Sequence, residues 1–447
     1  MKNVCGPFEG KRITVMGLGV LGRGVGDVEF LAKCGAHVLV TDKKIESELA
    51  ESVEKLKKYP NVSYHLGGHE EKDFIDCDMV IKAAGVPLDS PEVAAARAAG
   101  IPVYMSTALF ARSAIAEGAI IVGITGTRGK STTTQMIYHS LVHANRRVHL
   151  GGNIRGISTL ALLPEIEKGD IVVLELDSWQ LQGFGDLQIS PQIAVFSNLM
   201  PDHQNYYSNM DEYFEDKANI FRNQHQGDVL IIGKSVEDRV RKVKPSGEAH
   251  VTESIPEDWK LKIPGEHNRE NAALAAEALR ALKLSEGEVR AGLESFEGIE
   301  GRLQFLREIR GVKIFNDNNA TTPDATIAGL RAVDPEDNKN IVLIMGGDDK
   351  KLDMSDLISE IPKHCSKVIL FKERGTDRVR DEIFALKDQG IEVHEEEGLD
   401  NTVQRAFAVA RSSEIILYSP AFSSFGKYFK NEFDRGDQFV SLIKALQ

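Results

Sequence analysis

The stretch Ala119–Met136, AIIVGITGTRGKSTTTQM, constrains this chain more than any other. Its apolar start predicts a buried strand over Ala119–Thr125. Gly126-Thr127-Arg128-Gly129-Lys130-Ser131-Thr132 predicts a tight turn, with a helix opening near Ser131. Glycines let backbone N–H groups fold inward around a phosphate, and the helix that follows presents its positive end. Lys130 adds a point charge for β/γ-phosphates, and Ser131 or Thr132 a hydroxyl for Mg²⁺. The spacing is not that of the usual P-loop, which wants a glycine where Ile124 stands. The bland alternative is a plain surface turn. The strand before, the Gly-Lys-Ser core and the helical run after argue together against it.

The rest of the chain sets the context for that loop. Its 447 residues predict several domains, and 42% hydrophobic residues suffice for ordinary cores. No run approaches the roughly 18 apolar residues of a membrane span, and the start, MKNVCGPFEGKR, has no apolar signal core. A membrane partner is therefore not expected. A net charge of −13 argues against a nucleic-acid partner but leaves small anions possible at local basic loops. Cys5, Cys34, Cys77 and Cys365 are far apart and lack metal spacing. They are expected to be reduced thiols of a cytoplasmic protein.

Arg12–Gly17 predicts a strand that runs into Gly17-Leu18-Gly19-Val20-Leu21-Gly22, a match to G-x-G-x-x-G. An apolar helix to Lys33 and a strand over Ala36–Thr41 follow, ending at Asp42. That acid sits where dinucleotide folds place a ribose-binding carboxylate. One reading is thus an NAD-dependent oxidoreductase; the physics demands only some phosphate at that helix end. Asp78–Gly85 predicts a strand and turn, and Pro91–Gly100 a helix.

In the central region, Gly151-Gly152-Asn153-Ile154 predicts a tight turn, and Asp170–Leu176 a strand buried on both faces. Glu175 lies near its carboxyl end, where open α/β sheets place ligands. Ile193–Asn198 is a further strand, followed by Pro201-Asp202-His203. Met210–Asn223 predicts a helix with Tyr213, Lys217 and Ile220 on one face. A lysine among core positions needs its charge matched or removed. Alone, Glu175 could cap a helix, His203 could be an ordinary loop histidine, and Lys217 could snorkel to solvent. Beside a nucleotide loop, the three make a metal–phosphate site. Pro264–Asn268 opens a helix over Arg269–Leu282. Farther on, strands are predicted at Val312–Asn316, Asn340–Met345, Lys367–Phe371 and Glu414–Tyr418, and a helix at Pro323–Val333. Three polar clusters follow these strands: Asn316–Asn319, Gly346–Lys350 and Ser419-Pro420. They are either turns and caps or the mouth of a polar pocket.

Taken in order, GTRGKSTTT, GGNI, LELDSWQL, PDH, the lysine of YFEDK, GEHNRENAAL, GR, FND, GGDDK and SPAFSSF…FKN…DRG make the chain resemble the Mur ligase family of peptidoglycan precursor synthesis. VMGLGVLG…LVTD resembles its D-glutamate-adding branch. The resemblance implies an α/β fold of three domains: Rossmann-like over 1–106, P-loop ATPase-like over 107–300, and Rossmann-like over 301–447. It implies an ATP-dependent ligase, expected to act as a monomer. That enzyme adds D-glutamate to UDP-N-acetylmuramoyl-L-alanine through an acyl phosphate, and the first glycine turn holds UDP rather than NAD. L-Glutamate or another amino acid is the alternative within the family.

The resemblance also implies roles. Gly126, Thr127, Arg128, Gly129, Lys130, Ser131 and Thr132 would hold ATP, with Asn268, Asn271, Arg302 and Asp317. Ser131 and Glu175 would hold one Mg²⁺, and His203 with an N-carbamylated Lys217 a second. Val20, Leu21, Asp42, Lys43, Gly85, Asn153 and Ser178 would face the nucleotide sugar. Thr321, Lys350, Ser424 and Phe433 would face the amino acid. The chain departs from the family's pattern at Met200-Pro201, Ala83-Ala84, Gly301, Asn318-Asn319 and Gly426, and by one extra residue near Glu432.

Overall fold

The computed structural model describes residues 4–18, 22–202 and 206–446. Val20, Leu21 and His203 therefore lie outside the described residues. The strands form three sheets. The first holds β1 (Arg12–Met16), β2 (His37–Asp42), β3 (Val62–Leu66), β4 (Met79–Lys82) and β5 (Val103–Tyr104), in the order β3-β2-β1-β4-β5. The second holds β6 (Ile120–Thr125), β7 (Val148–Gly152), β8 (Ile171–Glu175), β9 (Ile193–Phe196), β10 (Val229–Ile232) and β11 (Glu248–Val251), in the order β11-β10-β9-β6-β8-β7. Both are parallel throughout. The third holds β12 (Gln304–Ile309), β13 (Val312–Asn316), β14 (Ile341–Met345), β15 (Cys365–Phe371), β16 (Glu392–Glu396) and β17 (Ile415–Tyr418), in the order β12-β13-β17-β14-β15-β16. Only its edge strand β12 runs antiparallel to its neighbour.

The topology places both glycine turns. β1 lies between β2 and β4, and β6 between β9 and β8, so each is the strand at which the sheet order reverses. Open parallel sheets leave a crevice at the carboxyl ends of such strands. Gly17 follows β1 and Gly126 follows β6. β8 is buried at every residue, as its continuous apolar run demands in a sheet covered on both faces.

The chain forms two compact units. Met1–Pro256 with Asn271–Leu293 carries the first two sheets, and Glu257–Glu270 with Glu294–Gln447 the third. In the first unit one apolar core runs from Val15 and Leu31 through Phe110 and Leu163 to Val172 and Phe196, so its two sheets share buried side chains.

Two local expectations change. Gly151 and Gly152 do not make a free turn: they end β7. The helix expected over Met210–Asn223 stops at Ala218. Beyond it the backbone tightens, with Ile220 N–H donating to Lys217 O at 3.1 Å. Ser190 Oγ fixes that turn by donating to Asn219 O and accepting from Asn223 N–H. Tyr213, Lys217 and Ile220 are nevertheless all buried, as their common face predicts. Among the described residues, no helix is long and apolar enough to cross a membrane.

The expectation of four reduced thiols fails at two of them. Cys5 and Cys34 form a disulfide, with Cα atoms 4.9 Å apart. Cys34 ends the helix Arg23–Lys33, and Phe8 packs edge-on against Phe30 of that helix. The N-terminal turn thus folds back along the helix, a tertiary contact that cysteine spacing does not reveal. Cys77 and Cys365 are free and buried. A thiol reagent applied to the denatured, unreduced protein should therefore titrate two thiols, not four. Reduction should lower the thermal midpoint, because a cross-link closing 29 residues restricts the unfolded chain by roughly 3–4 kcal/mol. Four titrating thiols, or an unchanged midpoint, would contradict this pairing.

Candidate active site

The loop after β6 is held by close backbone approach. Gly126 adopts φ +146°, and a Cβ there would stand 1.9 Å from Ser197 Oγ. Gly129 adopts φ +79°, and its Cβ would stand 2.2 Å from Asn271 Oδ1. No other residue fits either position without displacing a neighbour. Asn198 Oδ1 accepts from Arg128 N–H at 2.8 Å, Ser197 Oγ donates to Arg128 O at 2.7 Å, and Thr127 Oγ1 accepts from Met200 N–H at 2.9 Å. Arg128 also pairs with Asp202 at 3.1 Å. The helix Lys130–His143 opens directly from Gly129, one residue before the expected Ser131. Its first N–H groups have no helical partner, so the loop is a ready anion cradle. Lys130 Nζ folds over it, donating to Gly126 O and Thr127 O at 2.9 and 3.1 Å. Ser131 and Thr132 occupy the first helical turn, as expected.

Two further predicted residues converge on this loop. Glu175, 5% exposed, ends the strand beside β6. Its backbone lies so near Gly152 that a Cβ there would meet Glu175 O at 2.1 Å. Glu175 O also accepts from Asn153 N–H at 2.7 Å, and Asn153 Nδ2 lies 3.4 Å from Glu175 Oε1. Lys217 is 1% exposed. Its Nζ donates to Gly126 O at 2.9 Å and to Thr125 Oγ1 at 3.4 Å, and sits 4.7 Å from the centre of the Tyr213 ring. Burial, then the neighbouring Lys130, push its amine well below the usual lysine range. The Ser131 hydroxyl and Glu175 carboxylate are hard oxygen donors of the kind Mg²⁺ takes; an amine is not. Among the described residues, no three His, Cys, Asp or Glu side chains gather as a metal cluster. Ser178, 2% exposed, opens the helix Ser178–Asp186.

The first glycine turn borders a cavity of about 320 Å³ within the same unit. Gly17, Leu18, Arg23, Gly85, Thr107 and Gln180 are among its walls. Asp42 braces the turn rather than pointing free: Oδ2 accepts from Leu18 N–H at 2.9 Å and Oδ1 from Lys44 N–H at 3.0 Å. Lys43 Nζ is 3.8 Å from Glu92 Oε1. Arg23 Nη1 donates to Asn153 Oδ1 at 2.8 Å, joining this cavity to the Glu175 side. Asp27 and Lys82 are among the lining residues that escaped the sequence reading. Asp27 accepts from Ser158 Oγ at 2.6 Å, and burial raises its carboxyl to about 6. Lys82 ends β4 and is 2% exposed. The one visible signal was a lysine closing the apolar run Met79–Ile81.

The second unit gathers the C-terminal candidates at the carboxyl ends of β13, β14 and β17. Asp317 Oδ2 accepts from Ser419 Oγ at 2.8 Å and Oδ1 from Leu303 N–H at 3.1 Å. Burial lifts its carboxyl to about 7, against the pull of Arg302. Lys350 Nζ donates to Thr321 Oγ1 at 3.0 Å, which brings together two residues expected to face the amino acid. Ser424 is buried, and Phe433 lies in the first turn of the helix Glu432–Ala445. Asn268, buried in the first turn of the helix Glu266–Ala281, donates from Nδ2 to Pro264 O at 2.6 Å. Asn271 follows on that helix, against Gly129. Arg435, quoted in the DRG motif but given no role there, is fully buried, with Nε on Asn318 Oδ1 at 2.7 Å and Nη2 on Asn318 O at 2.9 Å.

Three family models match the chain in sequence: Mur ligase MurD-like, N-terminal domain over residues 11–105; Mur ligase middle domain over 124–256; and Mur ligase, glutamate ligase domain over 301–422. Two relatives named UDP-N-acetylmuramoylalanine–D-glutamate ligase are each 34% identical. The one from Roseiflexus sp. (strain RS-1) aligns over 98% of this chain and 99% of its own. The one from Borreliella afzelii (strain PKo) aligns over 97% of each. Among solved structures, UDP-N-acetylmuramate-alanine ligase MurC from Thermotoga maritima superposes with a TM-score of 0.62 at 20% identity, over 97% of this chain and 99% of that one. MurF ligase from Thermotoga maritima in complex with ADP gives 0.59 at 14%, over 99% and 98%. Those structures share the three-domain α/β fold with its parallel sheets. With its three domain matches and near-full-length relatives, the chain belongs to the Mur ligase family.

Proposed function

We propose that this protein joins D-glutamate to UDP-N-acetylmuramoyl-L-alanine at the expense of ATP. The observation that carries the reading is the buried Lys217 amine, set against the carbonyl of Gly126 in an anion-binding loop. It sits in a chain alike over nearly its whole length to relatives named for this reaction. A carboxylate is a poor acylating agent, so the substrate carboxylate attacks the γ-phosphate and becomes an acyl phosphate, with ADP leaving. The amine of D-glutamate then attacks the acyl carbon, and phosphate departs. An oxidoreductase built on the first glycine turn would leave Gly126–Thr132 without a task.

In this reading the N-terminal and C-terminal sheets belong to Rossmann-like domains over 1–106 and 301–447, and the central sheet to a P-loop ATPase-like domain over 107–300. The loop N–H groups and Lys130 hold the ATP phosphates, and Asn268, Asn271, Arg302 and Asp317 hold the rest of the nucleotide. Mg²⁺, when bound, neutralises the phosphate oxygens that the reacting carboxylate must approach. Ser131 and Glu175 would hold one ion. Lys217 with His203 would hold the other once CO₂ has added to the lysine amine, releasing a proton and leaving an anionic carbamate. A lysine whose burial disfavours the ammonium is suited to that addition. By the family resemblance, Val20, Leu21, Asp42, Lys43, Gly85, Asn153 and Ser178 would serve the nucleotide sugar. The reaction draws on cytoplasmic ATP and a nucleotide sugar and needs only one copy of the chain. The Cys5–Cys34 disulfide removes the thiol argument for a cytoplasmic site, so the substrates alone carry it.

Lys130→Ala should keep the fold and lose on the order of 10²–10³ in rate, the usual cost of one transition-state cation or donor. Phosphate release with the full substrate set measures it, and near-wild-type turnover in the folded variant would sink the assignment.

Lys217→Ala should be nearly inactive, with part of the rate restored by formate or acetate filling the anionic position. Activity in Lys217→Ala without any added acid would rule the carbamate out.

Lys350→Ala tests the amino-acid pocket. Lys350 and Thr321 are hydrogen-bonded, and with Ser424 and Phe433 they form the proposed seat of the side-chain carboxylate. A basic amino acid would meet Lys350 as a like charge. The variant should raise the KM for D-glutamate far more than that for ATP. Unchanged glutamate kinetics, or a preference for a basic or neutral amino acid, would overturn the pocket.

A further inference from the structure

The loop that follows β14 carries Lys350, and its two halves are held in different ways. As far as Asp348, backbone pins backbone. Gly346 N–H donates to Pro420 O at 2.9 Å, and Gly375 N–H to Gly347 O at 3.0 Å. Asp348 and Ser423 exchange hydrogen bonds of 2.9 and 3.1 Å, which ties the loop to the residue before Ser424. Gly347 permits that approach, since a Cβ there would meet Ser423 O at 2.3 Å.

Beyond Asp348 the chain belongs to neither strand nor helix until Ser355. Lys350 stands in this second half, and Lys351 beside it adopts φ +57°, a left-handed conformation that a residue with a side chain adopts at a cost. The helix Arg374–Ala385 supplies the order. Arg374 and Arg378, one helical turn apart, share a face of it. Arg374 Nη2 donates to Asp348 Oδ2 at 2.9 Å. Arg378 Nε donates to Asp349 Oδ1 at 3.2 Å, and its Nη2 to Leu352 O at 2.8 Å. One guanidinium thus touches the residue before Lys350 and the second residue after it. Inside that bracket, Asp349 Oδ1 also accepts from Lys351 N–H at 2.8 Å. Lys350 Nζ leaves the turn to donate to Thr321 Oγ1 at 3.0 Å.

A lysine ammonium sits on a long flexible stem, so its place is set first by the backbone it springs from. A loose turn must be ordered each time a ligand binds, at an entropic cost. An arginine fork can hold two acceptors at once, which an ammonium on the same stem does not do. The Asp349 side chain is only 21% exposed, so its pair with Arg378 is better shielded than an open surface ion pair.

We propose that Arg378 is a positioning residue for Lys350: by bridging Asp349 and Leu352 it fixes the turn from which Lys350 reaches Thr321, and so presets the seat of the amino acid's side-chain carboxylate. The inference rests on the amino-acid pocket of the ligase reading and deepens it. Arg378 touches no substrate and acts through the lysine alone.

Phosphate release, with D-glutamate and ATP varied in turn, tests this on the whole protein. Arg378→Ala should raise the KM for D-glutamate on the order of 10-fold, the cost of ordering one backbone residue on binding, with kcat and the KM for ATP little changed. In a Lys350→Ala background the same substitution should add no further rise, because the two residues act as one unit. Arg378→Lys keeps a cation but cannot span both acceptors, so it too should raise the glutamate KM; this arm decides if Arg378→Ala does not fold. Arg380→Ala is the control, since Arg380 lies on the same helix but bonds Glu395, and it should leave glutamate kinetics unchanged. A wild-type glutamate KM in Arg378→Ala or in Arg378→Lys, additive rises in the double variant, or an equal rise in Arg380→Ala overturns the Arg378 assignment. Unchanged glutamate kinetics in Lys350→Ala alone would instead remove the pocket reading, and the role of Arg378 with it.

Discussion

The approach of Ser197 and Asn271 to the backbone of Gly126 and Gly129 is the contact on which the central site depends. Side-chain oxygens of these residues stand 1.9 and 2.2 Å from where a Cβ would sit. The strand after β6 in space, β9, supplies Ser197 and Asn198 just past its carboxyl end, and the helix Glu266–Ala281 supplies Asn271. The loop is therefore fixed from two sides before any ligand arrives. Its N–H groups need not be ordered on binding, which lowers the entropic cost of capturing a phosphate. Lys217 belongs to the same clamp, because its amine reaches the carbonyl of Gly126.

Among the described residues, three buried lysines are met in three ways. In Lys367 the charge is neutralised by Glu414 and serves the sheet. In Lys217 the surroundings disfavour the ammonium, which suits an amine that reacts with CO₂. In Lys82 the amine donates to the carbonyl of Val86 at 2.8 Å, inside the turn that follows its own strand. What differs is the neighbour, not the residue, so burial alone does not give a buried lysine its role.

The fold was legible where elements are long and strongly apolar. β6, β8, β13 and the helix Pro323–Val333 stand within a residue or so of where pattern and punctuation put them. Strands such as Glu248–Val251 and Glu392–Glu396 were missed because they are short, charged edge strands without a clear period. The face of Lys217 was readable from its spacing with Tyr213 and Ile220. The cavity at the first glycine turn was not, because Asp27, Lys82, Thr107 and Gln180 are far apart in sequence and meet only through packing. The disulfide escaped for the same reason: Cys5 reaches Cys34 by a fold-back of the N-terminal turn, which no local pattern encodes.

The positions at which the chain departs from the family's pattern are not independent of one another. Gly301 adopts φ +72°, and its carbonyl accepts from Asn319 N–H at 2.9 Å. A Cβ at Gly301 would stand 2.9 Å from Asn319 Nδ2. The missing side chain at 301 thus leaves room for the amide at 319. At Gly426 the same logic is stronger. A Cβ there would fall 1.9 Å from Glu373 Oε1, which accepts from Lys427 N–H. The carboxylate of Glu373, just past the end of β15, thus occupies the space beside Gly426. Asn318 meanwhile is locked by Arg435 and by Glu432 O, tying it to the helix that begins at the extra residue. The departures at Gly301, Asn318-Asn319 and Gly426 are therefore each met by a local partner, and the polar ends of β13, β14 and β17 stay packed. Arg435 is wholly buried, and its guanidinium donates to the neutral oxygens Asn318 Oδ1, Asn318 O and Phe422 O, so the asparagine at 318 is held by the helix it helps to seat.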